Sequence, residues 1–92
     1  MVTTVSFVVS GRVQGVGFRY HAQNSAVHLN LKGWVRNRED GDVEGVLQGK
    51  SEAVEAMLQW LAKGPPSARV EQVRSGDFEF EPKVYESFQI KP

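Results

Sequence analysis

The sequence predicts an α+β domain: a two-layer sandwich in the order β-α-β-β-α-β, with a mainly antiparallel sheet, both helices on one face and an extra C-terminal strand. Three observations lead there. Two segments, beginning at Phe18 and Ser51, carry apolar side chains at helical spacing. The segments between and around them are short and rich in β-branched and aromatic residues, as strands are. Two of these strands flank Asp40-Gly41, a tight-turn dipeptide that marks a β-hairpin.

Thr3 to Ser10 is the first strand, with Val5, Phe7 and Val9 alternating with Ser6, Val8 and Ser10. A loop holding Gly11, Gly15 and Gly17 follows. Phe18, Ala22, Ala26 and Leu29 then recur along one face of a helix, which Asn30 and Gly33 end. Gly33 to Asn37 and Val43 to Gln48 are the hairpin strands. Gly45 inside the second marks a bulge or a close approach by another group. Ser51 to Lys63 is the clearest helix: Ser51 is the expected cap, and Val54, Met57, Leu58 and Leu61 follow i, i+3, i+4, i+7. Gly64-Pro65-Pro66 stops it. Ala68 to Ser75 is a fourth strand, where Val70 and Val73 break the alternation and call for a bulge. Phe88 and Ile90 mark the last strand. The whole order is the ferredoxin-like pattern, which hosts many unrelated functions.

The 92 residues make one domain, spanning 1–92, with no linker or repeat. Eleven basic residues balance eleven acidic ones, which argues against a nucleic-acid partner because phosphate neutralisation needs a basic excess. An RNA-binding module of this topology would also need aromatic residues on its central strands. Phe7 is the sole aromatic of the first strand, and the third has none. The chain has no cysteine, so thiol nucleophiles and cysteine metal sites are excluded. His21 and His28 lie off the apolar stripe without metal-pair spacing, and read as solvent-facing. Trp34 and Trp60 read as core or sheet-covering residues. No apolar run is long enough to span a membrane and no signal-like segment opens the chain, so a cytoplasmic address is expected.

Gly11-Arg12-Val13-Gln14-Gly15-Val16-Gly17-Phe18-Arg19 joins the first strand to the first helix. Glycines there permit positive φ, so successive amides can converge on an anion beside a helix start, with Arg19 adding a forked guanidinium. An ordinary glycine turn with a surface arginine is the plainer alternative. The loop lacks the Gly-Lys-Ser/Thr of a nucleotide-binding P-loop and the spacing of a dinucleotide fingerprint, so its anion would be small. Asn37, at the end of the second strand, either shapes the hairpin turn or presents its amide to a water.

Two stretches carry a resemblance. Val9 to Arg19 is similar, without mismatch, to the first signature of the acylphosphatase family. Gly33-Trp34-Val35-Arg36-Asn37 with Gly41, Val43 and Gly49 is similar to its second. Gly64-Pro65-Pro66-Ser67-Ala68-Arg69-Val70 and Phe88-Gln89-Ile90 also look like the family. Asn30 stands where Gly is usual, a replacement that keeps the left-handed conformation accessible. The stretch Asp77-Phe78-Glu79-Phe80-Glu81-Pro82 fits no family pattern.

The resemblance implies hydrolysis of carboxyl–phosphate anhydrides to carboxylate and inorganic phosphate, without metal or other cofactor. The expected substrate is a small acyl phosphate, phosphate is both product and competitive inhibitor, and the enzyme is a monomer. It makes Gln14, Gly15, Val16, Gly17 and Phe18, through their amides, and Arg19 the phosphate site, with Arg19 and Asn37 catalytic. The chemistry suits those groups. The leaving carboxylate needs little acid help, and phosphoryl transfer mostly demands positioning and charge stabilisation. No residue is an evident general base, so the bound phosphate or solvent takes the proton. A chelator in excess should leave benzoyl phosphate turnover unchanged, and loss of turnover would overturn the metal-free expectation.

Overall fold

A computed structural model, described for residues 2–77 and 83–92, has the predicted architecture. Five strands and two helices follow as β1 (Val2–Arg12), α1 (Phe18–His28), β2 (Lys32–Asn37), β3 (Val43–Lys50), α2 (Ser51–Lys63), β4 (Arg69–Asp77) and β5 (Phe88–Ile90). They form one sheet in the order β4-β1-β3-β2-β5. All pairings are antiparallel except that of β5, the extra strand, which runs parallel to β2. Gly33 N–H donates to the Ser87 carbonyl at 3.0 Å and Lys91 N–H to the Val35 carbonyl at 2.8 Å, bracketing that strand. The stretch from Asp77 to Pro82 that matched no family pattern lies, beyond Asp77, outside the described residues.

The period-2 pattern of β1 sends Val5, Phe7 and Val9 into one layer with Val35, Val43 and Leu47. Both helices cover this face. Phe18, Ala22 and Ala26 of α1 are buried there, and so are Val54, Met57 and Leu61 of α2. Each helix uses the stripe its spacing predicted. The two alanines let α1 lie close to the sheet, while the Phe18 ring packs on Trp60 of α2 with centroids 5.6 Å apart. The Phe18 ring is therefore buried at the first residue of α1 and fixes where that helix starts.

Among the described residues, the opposite sheet face carries no helix. Its buried polar residue, Gln48, is fully employed: Nε2 donates to Thr4 Oγ1 at 3.0 Å and to the Lys83 carbonyl at 2.6 Å, while Oε1 accepts from Tyr85 N–H at 2.9 Å. These bonds tie down the chain entering β5.

Two local expectations change and a third is narrowed to one of its alternatives. Gly11 belongs to β1, not to the loop. The β1–β4 register passes from Ser10↔Gln72 to Gly11↔Val70, so Glu71 is an extra residue on β4 and forms the expected bulge. At φ 128°, a Cβ on Gly11 would lie 2.8 Å from the Glu71 amide, so glycine is required by the neighbouring strand. Ser51 does not cap α2. The cap position is Lys50, because β3 runs straight into the helix, and the Ser51 hydroxyl shares a 2.8 Å hydrogen bond with Thr3. Gly45 is a close approach without a bulge, since the β2–β3 register is regular there. A Cβ would sit 2.6 Å from Phe7 Cζ and overlap the Trp34 carbonyl oxygen. Asn30 adopts φ 58°, as its left-handed tolerance predicted.

Gly45→Ala tests that close approach. It should destabilise the fold by roughly 1–3 kcal/mol, the usual cost of overpacking, read as a lower urea midpoint at unchanged slope.

Candidate active site

The loop between β1 and α1 holds two glycines in the left-handed region. Gly15 and Gly17 have φ of 75° and 76°, while the intervening Val16 and the preceding Gln14 keep negative φ. Positive φ at alternate residues is a feature that anion-binding backbone nests share. Gly17 is the residue before the helix, so the loop runs directly into the free N–H groups of the first turn of α1. A Cβ on Gly15 would meet nothing within 4 Å, so its glycine answers to backbone conformation alone.

The loop is held at several points. Val13 is buried in the core at its start and Phe18 at its end. The Ser67 hydroxyl, from the turn after α2, donates to the Val16 carbonyl at 3.1 Å. On the opposite side, Gln14 Nε2 donates to the carbonyls of Arg38 at 2.7 Å and Asp42 at 3.0 Å, across in the β2–β3 hairpin.

Gly15, Gly17, Phe18, Arg19 and Asn37 together line one cavity of about 200 Å³. Val13, Tyr20 and Ile90 complete its wall. Gln14 and Val16 are not among the lining residues. Gln14 turns its side chain to the hairpin, and the half-buried Val16 packs against the core. Arg19 is half-buried, and its Nη1 donates to the Lys91 carbonyl at 3.1 Å. Among the described residues it forms no ion pair, unlike Arg36 and Arg38 of the hairpin. Arg36 pairs with Glu44 at 2.6 Å and lies over the Trp34 ring, and Arg38 pairs with Asp40 at 2.9 Å. A larger shallow hollow lined by Arg36, Arg38 and Asp40 thus has its cations already neutralised. Arg19 presents its charge unmatched, restrained by a neutral acceptor.

Asn37 ends β2 opposite Val43. The hairpin turn is closed without its side chain. Arg38 N–H donates to the Asp42 carbonyl at 2.8 Å, Gly41 N–H to the Arg38 carbonyl at 3.3 Å, and Asp42 N–H to Asp40 Oδ1 at 3.0 Å. Asp40 supplies the side-chain bond of the turn, and Asn37 lines both the small cavity and the larger hollow beside it. His21 and His28 are exposed on α1, and Arg12 is exposed at the end of β1.

Sequence reasoning missed several contributors. Tyr20 is 60% exposed and Ile90 37% exposed at the cavity wall, an apolar rim that only the tertiary arrangement creates. The Lys91 carbonyl is a backbone group and leaves no mark on residue type. Ser67 follows the Gly-Pro-Pro turn, and that position was the one available signal.

Fold and cavity define a class: a two-layer α+β domain whose glycine loop, helix start and unpaired arginine suit one small anion, with an amide close by. The comparisons narrow it. The acylphosphatase family model matches residues 5–90. An acylphosphatase of Nitrosococcus oceani is 52% identical over 75 residues, covering 82% of this chain and 84% of that one. One of Bordetella parapertussis is 47% identical over 85 residues, covering 92% and 89%. Among solved structures, the acylphosphatase from Bacillus subtilis matches with a TM-score of 0.92 at 34% identity, covering 100% of both chains. That from Coxiella burnetii gives 0.91 at 38%, covering 98% and 93%. The chain belongs to the acylphosphatase family, and it is a hydrolase that acts on acyl phosphates.

Arg19→Lys should separate charge from geometry. A lysine keeps the positive charge but loses the fork that serves Lys91 and an anion at once. Turnover of benzoyl phosphate should fall on the order of 10²-fold, the scale of one lost preorganised donor, while the thermal midpoint stays near that of the parent.

Proposed function

We propose that the phosphoryl group of the substrate sits in the cradle formed by the amides of Gln14 to Phe18 and by Arg19, and that Asn37 holds the attacking water. The observation that carries the reading is the convergence of the left-handed glycine loop, the unpaired Arg19 and the turn-independent Asn37 amide on one small cavity. The amides and guanidinium neutralise the equatorial phosphoryl oxygens as charge builds on them. Water, held by the Asn37 side chain, attacks phosphorus in line with the bond to the acyl oxygen. That bond breaks with its electron pair going to the carboxylate. The water proton passes to a phosphoryl oxygen or to solvent, since Asp40 is engaged in the turn and with Arg38, and Glu39 is exposed.

No metal enters the mechanism, because Arg19 and the backbone dipoles supply the charge that a cation would otherwise bring. Inorganic phosphate, which presents the same oxygens, competes with substrate. The reading is of a monomer acting as a single domain over residues 1–92. A cytoplasmic setting fits the cysteine-free composition.

Arg19→Ala and Asn37→Ala separate the two roles. Arg19→Ala should lose both phosphate inhibition and turnover, the latter by on the order of 10²–10³-fold. Asn37→Ala should lose turnover by a similar factor with the inhibition constant of phosphate largely kept. Benzoyl phosphate hydrolysis at the parental rate by Asn37→Ala would sink the water-holding role.

A further inference from the structure

The Gln14 side chain joins the two halves of the site. Its Nε2 carries two hydrogens, and both find backbone carbonyls of the hairpin, Arg38 at 2.7 Å and Asp42 at 3.0 Å. Arg38 directly follows Asn37 in the chain, and Asp42 directly precedes Val43, the residue paired across from Asn37. The two acceptors therefore bracket Asn37 on both strands. They also belong to the hairpin's own closure, because the Asp42 carbonyl accepts from Arg38 N–H and the Arg38 carbonyl from Gly41 N–H. Gln14 itself lies one residue before the left-handed Gly15. A single amide thus spans from the glycine loop to the end of β2, between segments that the sheet does not join directly, since β3 lies between β1 and β2.

We propose that the Gln14 side chain is a positioning residue that sets the distance between the phosphoryl cradle and Asn37, acting on the attacking water through Asn37 without touching the substrate. This rests on the reading of Asn37 given under Proposed function. In-line attack is sensitive to this distance, and a misplacement of about 1 Å can cost on the order of 10²-fold in rate. Leucine-like bulk at residue 14 would fill the same space, yet it could not hold the hairpin in register with the loop. Two donors on one rigid amide can.

The test compares Gln14→Met, which keeps the length and removes both donors, with Gln14→Glu, which keeps the shape and sets a carboxylate oxygen against two carbonyls. Each is measured for kcat and KM with benzoyl phosphate, for inhibition by inorganic phosphate, and for thermal midpoint, alone and combined with Asn37→Ala. Gln14→Met should lower kcat by roughly 10–10²-fold with phosphate inhibition little changed, and Gln14→Glu should be worse. In the Asn37→Ala background, Gln14→Met should cost less than about twofold more, the non-additivity expected of residues acting as a unit. An equal loss in both backgrounds, a parental kcat for Gln14→Met, or a fall in phosphate affinity matching the fall in kcat would each overturn the proposal. A fully active Asn37→Ala would instead overturn the role of Asn37, whatever Gln14 does. If Gln14→Met does not fold, Gln14→Lys against Gln14→Glu makes the same comparison of donor with acceptor at similar reach. Retained turnover in the lysine variant alone supports the proposal, and equal loss in both overturns it.

Discussion

Backbone amides bind an anion well only when they cannot turn away from one another. An isolated glycine loop would relax and solvate its N–H groups separately, and the concavity would vanish. Everything around the β1–α1 loop acts against that relaxation. Val13 and Phe18 sink the two ends of the loop into the core, Ser67 holds the Val16 carbonyl, and Gln14 reaches to the hairpin. The glycines supply the conformation, and their neighbours remove the freedom that glycine would otherwise keep. The loop is thus held both by residues that line the cavity, Val13 and Phe18, and by two that do not, Gln14 and Ser67.

The same logic explains how a chain of zero formal charge can serve an anionic substrate. Near the hairpin, the basic side chains are consumed by acidic neighbours, Arg36 and Arg38 with Glu44 and Asp40. Exposed pairs of this kind contribute little to stability, but they leave the local field nearly neutral. Arg19 stands out because its partner is a carbonyl. A neutral acceptor fixes the guanidinium's orientation without cancelling its charge, and the helix start adds its partial positive charge beside it. Charge placement, and not charge excess, defines the site.

Much of this was legible in the residue order. The period-2 alternation of β1 and the helical stripes of α1 and α2 survive folding unchanged, because each element simply buries its apolar face. Of the residues that the sequence nominates for the site, Gly15, Gly17, Phe18, Arg19 and Asn37 share a cavity, while Gln14 and Val16 do not line it. What was not legible depends on partners distant in sequence. Gly11 looked like a loop residue because its reason for being glycine is the backbone of β4, met only after the sheet forms. Ser51 has the composition of a cap, but a strand arriving without a turn removed the geometry that capping needs. Tyr20 and Ile90 come together only because β5 pairs in parallel beside β2, on the edge next to α1. The acceptor for Arg19 is a main-chain oxygen, which any residue at that place would provide.

The position of β1 has a kinetic meaning. It lies between β3 and β4, so its ladders join segments separated by dozens of residues, as in Val2↔Lys50 and Val5↔Asp77. No hairpin can satisfy this strand locally, and the entropy of closing those long loops must be met before any of its hydrogen bonds can form. Topologies dominated by such distant pairings fold slowly for their size, on the order of milliseconds to seconds and not microseconds. The glycine loop hangs from the end of this strand, and its anchors come from the hairpin on one side and the turn before β4 on the other. The loop's anchors are thus complete only once the sheet has closed around β1.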